Sequence, residues 1–275
     1  MNTPTPQITQ AHDTTRHPVA LITGASSGIG RALAAQFAAD GHHVVLAARR
    51  VDALQALADE LQARHGVPAT VIGADLETED GARALHAEVQ RRGLTLNALV
   101  NNAGYGTFGE FGASALEPEL KMMQVNMASV VVLSKLFLPD LTVTRGRILN
   151  TASTAAFQPG PYMAVYYATK AFVLSFSEAL AEELQGSGVT VTALCPGPTA
   201  SGFQDKADMQ ASALVKGKKL PTSEEVAAAG YKALQRGQRV YIPGVMNWLM
   251  AQSVRFTPRR VVTALVRMLS RPVTA

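Results

Sequence analysis

The sequence predicts a single α/β domain built on a doubly wound parallel sheet of about seven strands, with helices on both faces. Three observations carry that prediction. Short apolar runs rich in β-branched residues recur along the chain, amphipathic stretches separate them, and a glycine cluster joins the first run to the first amphipathic stretch. Continuous apolar runs of this length suit strands covered on both faces. Alternation of strand and helix calls for parallel neighbours joined by right-handed crossovers.

The runs follow one another in order. "VALIT" (19–23) opens the sheet and leads into "GRALAAQFAADG", which Gly41 ends. "HVVLA" (43–47) leads into "VDALQALADELQARHG", ended by Gly66. A glycine at each helix end accepts the left-handed backbone that terminates a helix. The remaining strands are "ATVIGA" (69–74), "LNALV" (96–100), "GRILNT" (146–151), "VTVTAL" (189–194) and "RVYIP" (239–243). Residues 1–17 read as a loose, polar, Pro/Thr-rich tail, residues 18–246 as the main folded body, and 247–275 as a basic amphipathic extension. Within the body, the weakly periodic interval 197–222 has the length and composition of a lid over a site.

Composition narrows the class. A chain of 275 residues can bury a core without covalent staples. Its single cysteine, Cys195, has no partner for an intrachain disulfide, and the surrounding "TALCPGP" is too apolar for a metal site. Neither a signal peptide nor an apolar run long enough to cross a bilayer stands out, so a cytoplasmic, reducing location is expected. The net charge of +4 is unevenly spread. No acidic residue follows Glu225, whereas Lys232, Arg236, Arg239, Arg255, Arg259, Arg260, Arg267 and Arg271 do; the rest of the chain carries 17 bases against 21 acids. Such a basic end suits a solvated face, an acidic protein or a membrane surface. Nucleic acid is not an expected partner.

Chemistry enters with the glycine cluster Gly24-Ala25-Ser26-Ser27-Gly28-Ile29-Gly30. Between a strand and a helix, such glycines permit a tight turn and let backbone N–H groups approach a pyrophosphate at the positive end of the helix. The spacing is Gly-x-x-x-Gly-x-Gly. Near the end of the second strand, where an acidic residue would accept hydrogen bonds from free ribose hydroxyls, stand Ala48, Arg49 and Arg50. Two guanidiniums there favour a 2′-phosphate and hence NADP(H), unless Asp52 pairs with one of them.

A second constellation is "AVYYATKAFV" (164–173). A free phenol has a pKa near 10 and exchanges protons sluggishly at neutral pH. A lysine ammonium about 4.5 Å away, at an effective dielectric near 20, would favour the phenolate by about 3–4 kcal/mol. On a helix, Lys170 neighbours Tyr166 four residues back and Tyr167 three back, so spacing alone leaves both open.

In order, "TGASSGIG", "NNAG" (101–104), "YYATK" and "PGP" (196–198) resemble the short-chain dehydrogenase/reductase family, over about residues 18–245. The resemblance implies a Rossmann-type fold and hydride transfer between a nicotinamide and a carbonyl or secondary alcohol. It puts Asp75 and Leu76 beside the adenine, and Asn101, Ala103 and Gly104 beside the adenosine ribose. The last three also suit a plain turn. Ser153 stands thirteen residues before Tyr166, the family's spacing, which selects Tyr166 as proton donor and leaves Tyr167 to packing or the rim of the site. Ser153 is then the hydrogen-bond donor to the substrate oxygen, and Lys170 the residue that holds the nicotinamide ribose and lowers the tyrosine pKa. Asn126, mid-helix at a local backbone distortion, is implied to hold a water leading to Lys170. Pro196, Gly197 and Thr199 are expected over the nicotinamide carboxamide, with the lid beyond them.

An apolar cleft formed by Phe108, Phe157, Phe203, Met209 and Trp248, with Tyr162 nearby, would take a hydrophobic ketone, acyl chain or polycyclic substrate. The resemblance further implies a homodimer or homotetramer pairing through helices near 117–136 and 164–185. In the extension, Val261, Val262, Leu265, Met268 and Leu269 form one helical stripe that can lie on the body, on a partner subunit or on a bilayer. Two other functions compete with an NADP(H)-dependent carbonyl reductase: a non-catalytic dinucleotide-binding regulator, and an NAD-dependent alcohol dehydrogenase on the same scaffold. A lyase or epimerase would usually want a larger carboxy-terminal domain.

Overall fold

The computed structural model describes residues 17–200 and 220–271. Seven parallel strands form one sheet in the order β3-β2-β1-β4-β5-β6-β7. They are β1 (Val19–Thr23), β2 (His43–Ala48), β3 (Ala69–Gly73), β4 (Leu96–Asn101), β5 (Arg147–Thr151), β6 (Thr190–Leu194) and β7 (Val240–Tyr241). Each lies within a residue or two of the run that predicts it. The apolar runs are long because both faces are covered: Leu21 and Ile22, adjacent in β1, point to opposite faces and are both fully buried.

Helices α1 (Gly28–Ala39), α2 (Val51–His65) and α7 (Ser223–Gln235) belong to one face, where Leu33, Phe37, Leu57 and Val226 share one core cluster with Ile22 and Leu46. On the other face lie α3 (Gly81–Arg91), α5 (Ser129–Thr144) and α6 (Ala164–Glu183), with Leu85, Phe137 and Leu141 packed on Leu21 and Leu99. Strand order reverses between β1 and β4, which opens a crevice at the carboxyl ends of these two strands.

Helix α4 (Leu116–Met123) runs through a π-helical turn, Gln124–Ala128, into α5. This helical run of 29 residues is apolar enough by length and composition to cross a membrane, contrary to the expectation from sequence. Leu133, Phe137 and Leu141 nonetheless lie in the sheet core. Leu116 and Leu120 of α4 and Phe172 of α6 are exposed, on the helices through which the resemblance implies pairing.

Most of the expected lid, with Phe203 and Met209, lies outside the described residues. Its two ends meet: the Ala200 N–H donates to the Pro221 carbonyl at 2.8 Å. After β7 come α8 (Val245–Ser253), a short turn Val254–Phe256 and α9 (Arg259–Ser270).

Candidate active site

The glycine-rich turn leaves β1 with Gly24 and Gly28 at positive φ, 67° and 57°. A Cβ on Gly24 would lie 2.9 Å from the Ala103 Cα, so the β1 and β4 loops touch backbone to backbone. Gly30 has a different task. It does not face the crevice; a Cβ there would sit 2.4 Å from both the Gly24 carbonyl oxygen and the Asn102 Nδ2. Thr23 ties the loops together, its Oγ1 donating to the Val100 carbonyl and accepting from the N–H groups of Asn102 and Ala103.

These loops open onto a cavity of about 740 Å³ that runs the length of the crevice. At one end Ser26, Ser27, Gly28 and Ile29 face it, with Arg49 and Arg50 beside them. Arg50 donates to the Ser26 hydroxyl and carbonyl at 3.2 and 3.3 Å. Arg49 pairs with Glu77, and not with Asp52 as sequence proximity suggested. Asp75 and Leu76 line the same end, and one Asp75 oxygen accepts from the Glu77 N–H.

Asn101 corrects an expectation. It turns into the protein, where its Nδ2 donates to Ser134 and Asn150. As the last residue of β4 it points to the covered face, and the alternation of side chains gives the crevice to its neighbour. Asn102 therefore lines the cavity with Ala103 and Gly104, its Nδ2 donating to the Thr23 carbonyl. The signal was available in the second asparagine of "NNAG", but it needed the strand's last residue to be known.

At the other end stand Ser153, Tyr166, Tyr167 and Lys170, with Pro196, Gly197 and Thr199. The two tyrosines separate clearly. Tyr166 is hydrogen-bonded to Ser153, and the Lys170 Nζ lies 5.8 Å from its ring centroid. Tyr167 turns toward Ser270 of α9, and Gly160 packs against its ring. The Ser153 hydroxyl also caps the turn Thr154–Phe157 by accepting from the Ala155 N–H, and donates to the Pro196 carbonyl.

Asn126 sits in the π-helical turn and is buried, so the expected distortion is present. It does not line the cavity. Its Nδ2 donates to the Tyr105 carbonyl and the Thr169 hydroxyl, and its Oδ1 accepts from the Tyr105 N–H. Thr169 in turn donates to the Tyr166 carbonyl at 2.7 Å, so Asn126 braces the helix turn that carries Tyr166 and Lys170.

The electrostatics differ from the expectation. Burial pushes the Tyr166 phenol up, against the Ser153 hydrogen bond, and Tyr167 adds to the rise. Lys170 is not among the groups that oppose it. Burial dominates because both side chains are withdrawn from water, while the ammonium donates to the Thr151 carbonyl at 2.8 Å. Lys170 is itself pushed down to about 8 by burial, with Cys195 acting the other way. Tyr166 thus holds its proton through neutral pH, which suits a proton donor. Lys170 is expected to lose its charge near pH 8. Any turnover that relies on a charged Lys170 is therefore expected, read as kcat/KM, to be level below about pH 8 and to fall about tenfold per pH unit above it. Lys170→Arg should move that limb to higher pH, and a wild-type profile flat to pH 10 would contradict the assignment.

Of the expected apolar cleft, the three members among the described residues do not line the cavity. Phe108 stacks at a tilt on Tyr162, Phe157 packs behind β5 and β6, and Trp248 is exposed; none of them faces the cavity. Tyr105, Ala155, Met163 and Tyr167 line it instead.

A parallel sheet with its crevice at the switch point, a glycine turn at one end and a Ser–Tyr–Lys cluster at the other defines a dinucleotide-dependent oxidoreductase scaffold. Comparison with known proteins is more specific. Residues 18–211 match the family model described as short chain dehydrogenase, and the chain belongs to the short-chain dehydrogenase/reductase family. It is 38% identical over 213 residues to a sulfoacetaldehyde reductase of Chromohalobacter salexigens, covering 75% of this chain and 83% of that one. A short-chain dehydrogenase from Sphingobium yanoikuyae, solved with NADPH, superposes with a TM-score of 0.77 at 31% identity, over 87% of this chain and 94% of that one. A family member from Burkholderia phymatum, solved with NAD, gives 0.76 at 27% identity, over 94% and 98%. The chain spans about three fifths of the length of other curated relatives, 58% of one and 60% of another.

Proposed function

We propose that the protein is an NADP(H)-dependent carbonyl reductase acting on a hydrophobic ketone or aldehyde. The observation that carries this reading is the continuity of one cavity from Arg50 and Ser26 to Ser153, Tyr166 and Lys170. The residues fit a dinucleotide: Gly24 and Gly28 give a turn that side chains would obstruct, and the cavity has the length of the crevice. Ser26, Ser27, Gly28 and Ile29 would hold its phosphates, Asp75 and Leu76 its adenine, and Asn102, Ala103, Gly104 and Lys170 its riboses. When bound, the reduced nicotinamide supplies a hydride equivalent.

The chain's own groups do the rest. Tyr166, kept protonated by burial, gives its proton to the carbonyl oxygen as charge develops there. Ser153 steadies the same oxygen through its hydroxyl. Lys170, charged at neutral pH, offsets the negative charge left on the phenol, and Asn126 is a positioning residue acting through Thr169. The walls of Tyr105, Ala155, Met163 and Tyr167 favour an apolar substrate.

Cofactor choice turns on Arg50. Its guanidinium faces the cavity beside Ser26, while Arg49 is partly neutralised by Glu77. That ion pair is what keeps NAD in contention. Assayed with NADPH and NADH against a panel of ketones, the protein should prefer NADPH. Arg50→Ala should lower kcat/KM with NADPH by about 10–100-fold, the worth of a charge-assisted hydrogen bond, and leave NADH little changed. A wild type that prefers NADH would overturn the NADP(H) reading, and one that turns over neither would overturn the enzyme reading in favour of a regulator.

A further inference from the structure

The chain after β7 folds across the substrate end of the cleft with two different faces. Inward, α8 sets Asn247 against Gly197, where a Cβ would lie 2.7 Å from the Asn247 Nδ2. α9 buries Val262, Val266 and Ser270, spaced i, i+4, i+8; the two valines pack with Met122, Met163 and Tyr167, and Ser270 meets the Tyr167 phenol. The single stripe expected from sequence is thus divided, with Val262 turned to the protein. Outward, Val261, Leu265, Met268 and Leu269 are exposed at i, i+4, i+7 and i+8. Trp248, Leu249 and Met250 of α8 are exposed as well, and Phe256 in the intervening turn is 88% exposed. Single exposed apolar residues are ordinary, but a series along three consecutive elements marks an interaction surface.

Charge identifies the partner. Arg255, Arg259, Arg260, Arg267 and Arg271 lie along the same segment, and none forms an ion pair among the described residues. No carboxylate side chain follows Glu225 in the sequence. A second copy seated on this surface would set arginines against arginines. An anionic bilayer matches both features, with acyl chains for the apolar stripe and headgroup phosphates for the guanidiniums.

We propose that residues 245–271 form an interfacial docking surface for anionic lipid membranes, in which α9 lies in the headgroup plane with Leu265 and Met268 directed into it. Because the inner face of α9 rests on Met163 and Tyr167, lipid would come within about 10 Å, one helix diameter, of the substrate wall. An apolar carbonyl compound could then reach the cleft from the bilayer. The docking itself does not depend on the reductase reading, since it needs no turnover.

Flotation of the full-length protein with vesicles tests this directly. Binding is expected to vesicles containing about one third phosphatidylglycerol, not to pure phosphatidylcholine, and to weaken as ionic strength rises. The triple variant Arg259→Gln, Arg260→Gln, Arg267→Gln should lose about a hundredfold in partitioning, roughly fivefold per arginine. Leu265→Ser with Met268→Ser should also weaken it; should that pair lower the melting temperature, the arginine variant remains the deciding measurement. Absence of flotation with anionic vesicles, equal flotation with both kinds, or an unchanged arginine variant would each overturn the proposal. A wild-type dimer dissociated by Leu265→Ser and Met268→Ser, with no flotation, would assign the surface to a second copy.

Discussion

Tyr166→Phe is expected to lower kcat by about 10²–10⁴-fold while cofactor affinity is kept, because the substitution removes only the proton given to the carbonyl oxygen. The neighbouring Tyr167→Phe should retain turnover within about tenfold. The ground for the contrast is what each phenol faces: Tyr166 is hydrogen-bonded to Ser153 with Lys170 over its ring, whereas Tyr167 is turned away from that pair toward Ser270 of α9. Removing the Tyr167 hydroxyl loosens a contact of α9 and leaves the reacting oxygen untouched. Steady-state kinetics with NADPH and the best ketone, together with NADPH binding followed by fluorescence, separate the two effects. Equal losses in both variants, or a larger loss in Tyr167→Phe, would refute the assignment of the proton donor.

Gly30→Ala is expected to cost about 1–3 kcal/mol of stability and at least tenfold in dinucleotide affinity, as an overpacked contact between backbone and loop. The added methyl would press on the Gly24 carbonyl and the Asn102 Nδ2 at 2.4 Å. Relief requires α1 to withdraw from the β1 turn, or Asn102 to let go of the Thr23 carbonyl, and either motion spoils the mouth of the cavity. Gly112→Ala provides the comparison, since a Cβ there meets nothing within 4 Å and its φ is not positive. That change should shift stability by less than about 0.5 kcal/mol. Chemical denaturation and NADPH titration check both variants; a Gly30→Ala protein with wild-type affinity would show that the loop yields without cost.

Local patterns account for most of what could be read without coordinates. The seven strands follow from apolar runs because a buried parallel strand must be apolar on both sides, a requirement written residue by residue. The glycine turn follows from backbone geometry that a side chain would obstruct. The distortion at Asn126 is different: the family resemblance implied it, and the sequence itself shows only a polar side chain in mid-helix.

Other choices depend on which way neighbours face, and adjacent like residues carry no such mark. Asn101 and Asn102 are chemically identical, yet one is buried behind β4 and the other lines the cavity because β4 ends between them. Tyr166 and Tyr167 both lie one helical turn from Lys170; the family's spacing from Ser153 pointed to Tyr166, and the fold supplies the physical reason, with Ser153 just beyond β5 beside one phenol and Ser270 of α9 beside the other. Val261 and Val262 part company for the same reason, one exposed and the other packed with Met163. The Tyr166 phenol is the sharpest case: two side chains on one helix implied an ammonium that eases ionisation, and removal of both from water reversed the outcome, since desolvation is a property of everything packed around a group.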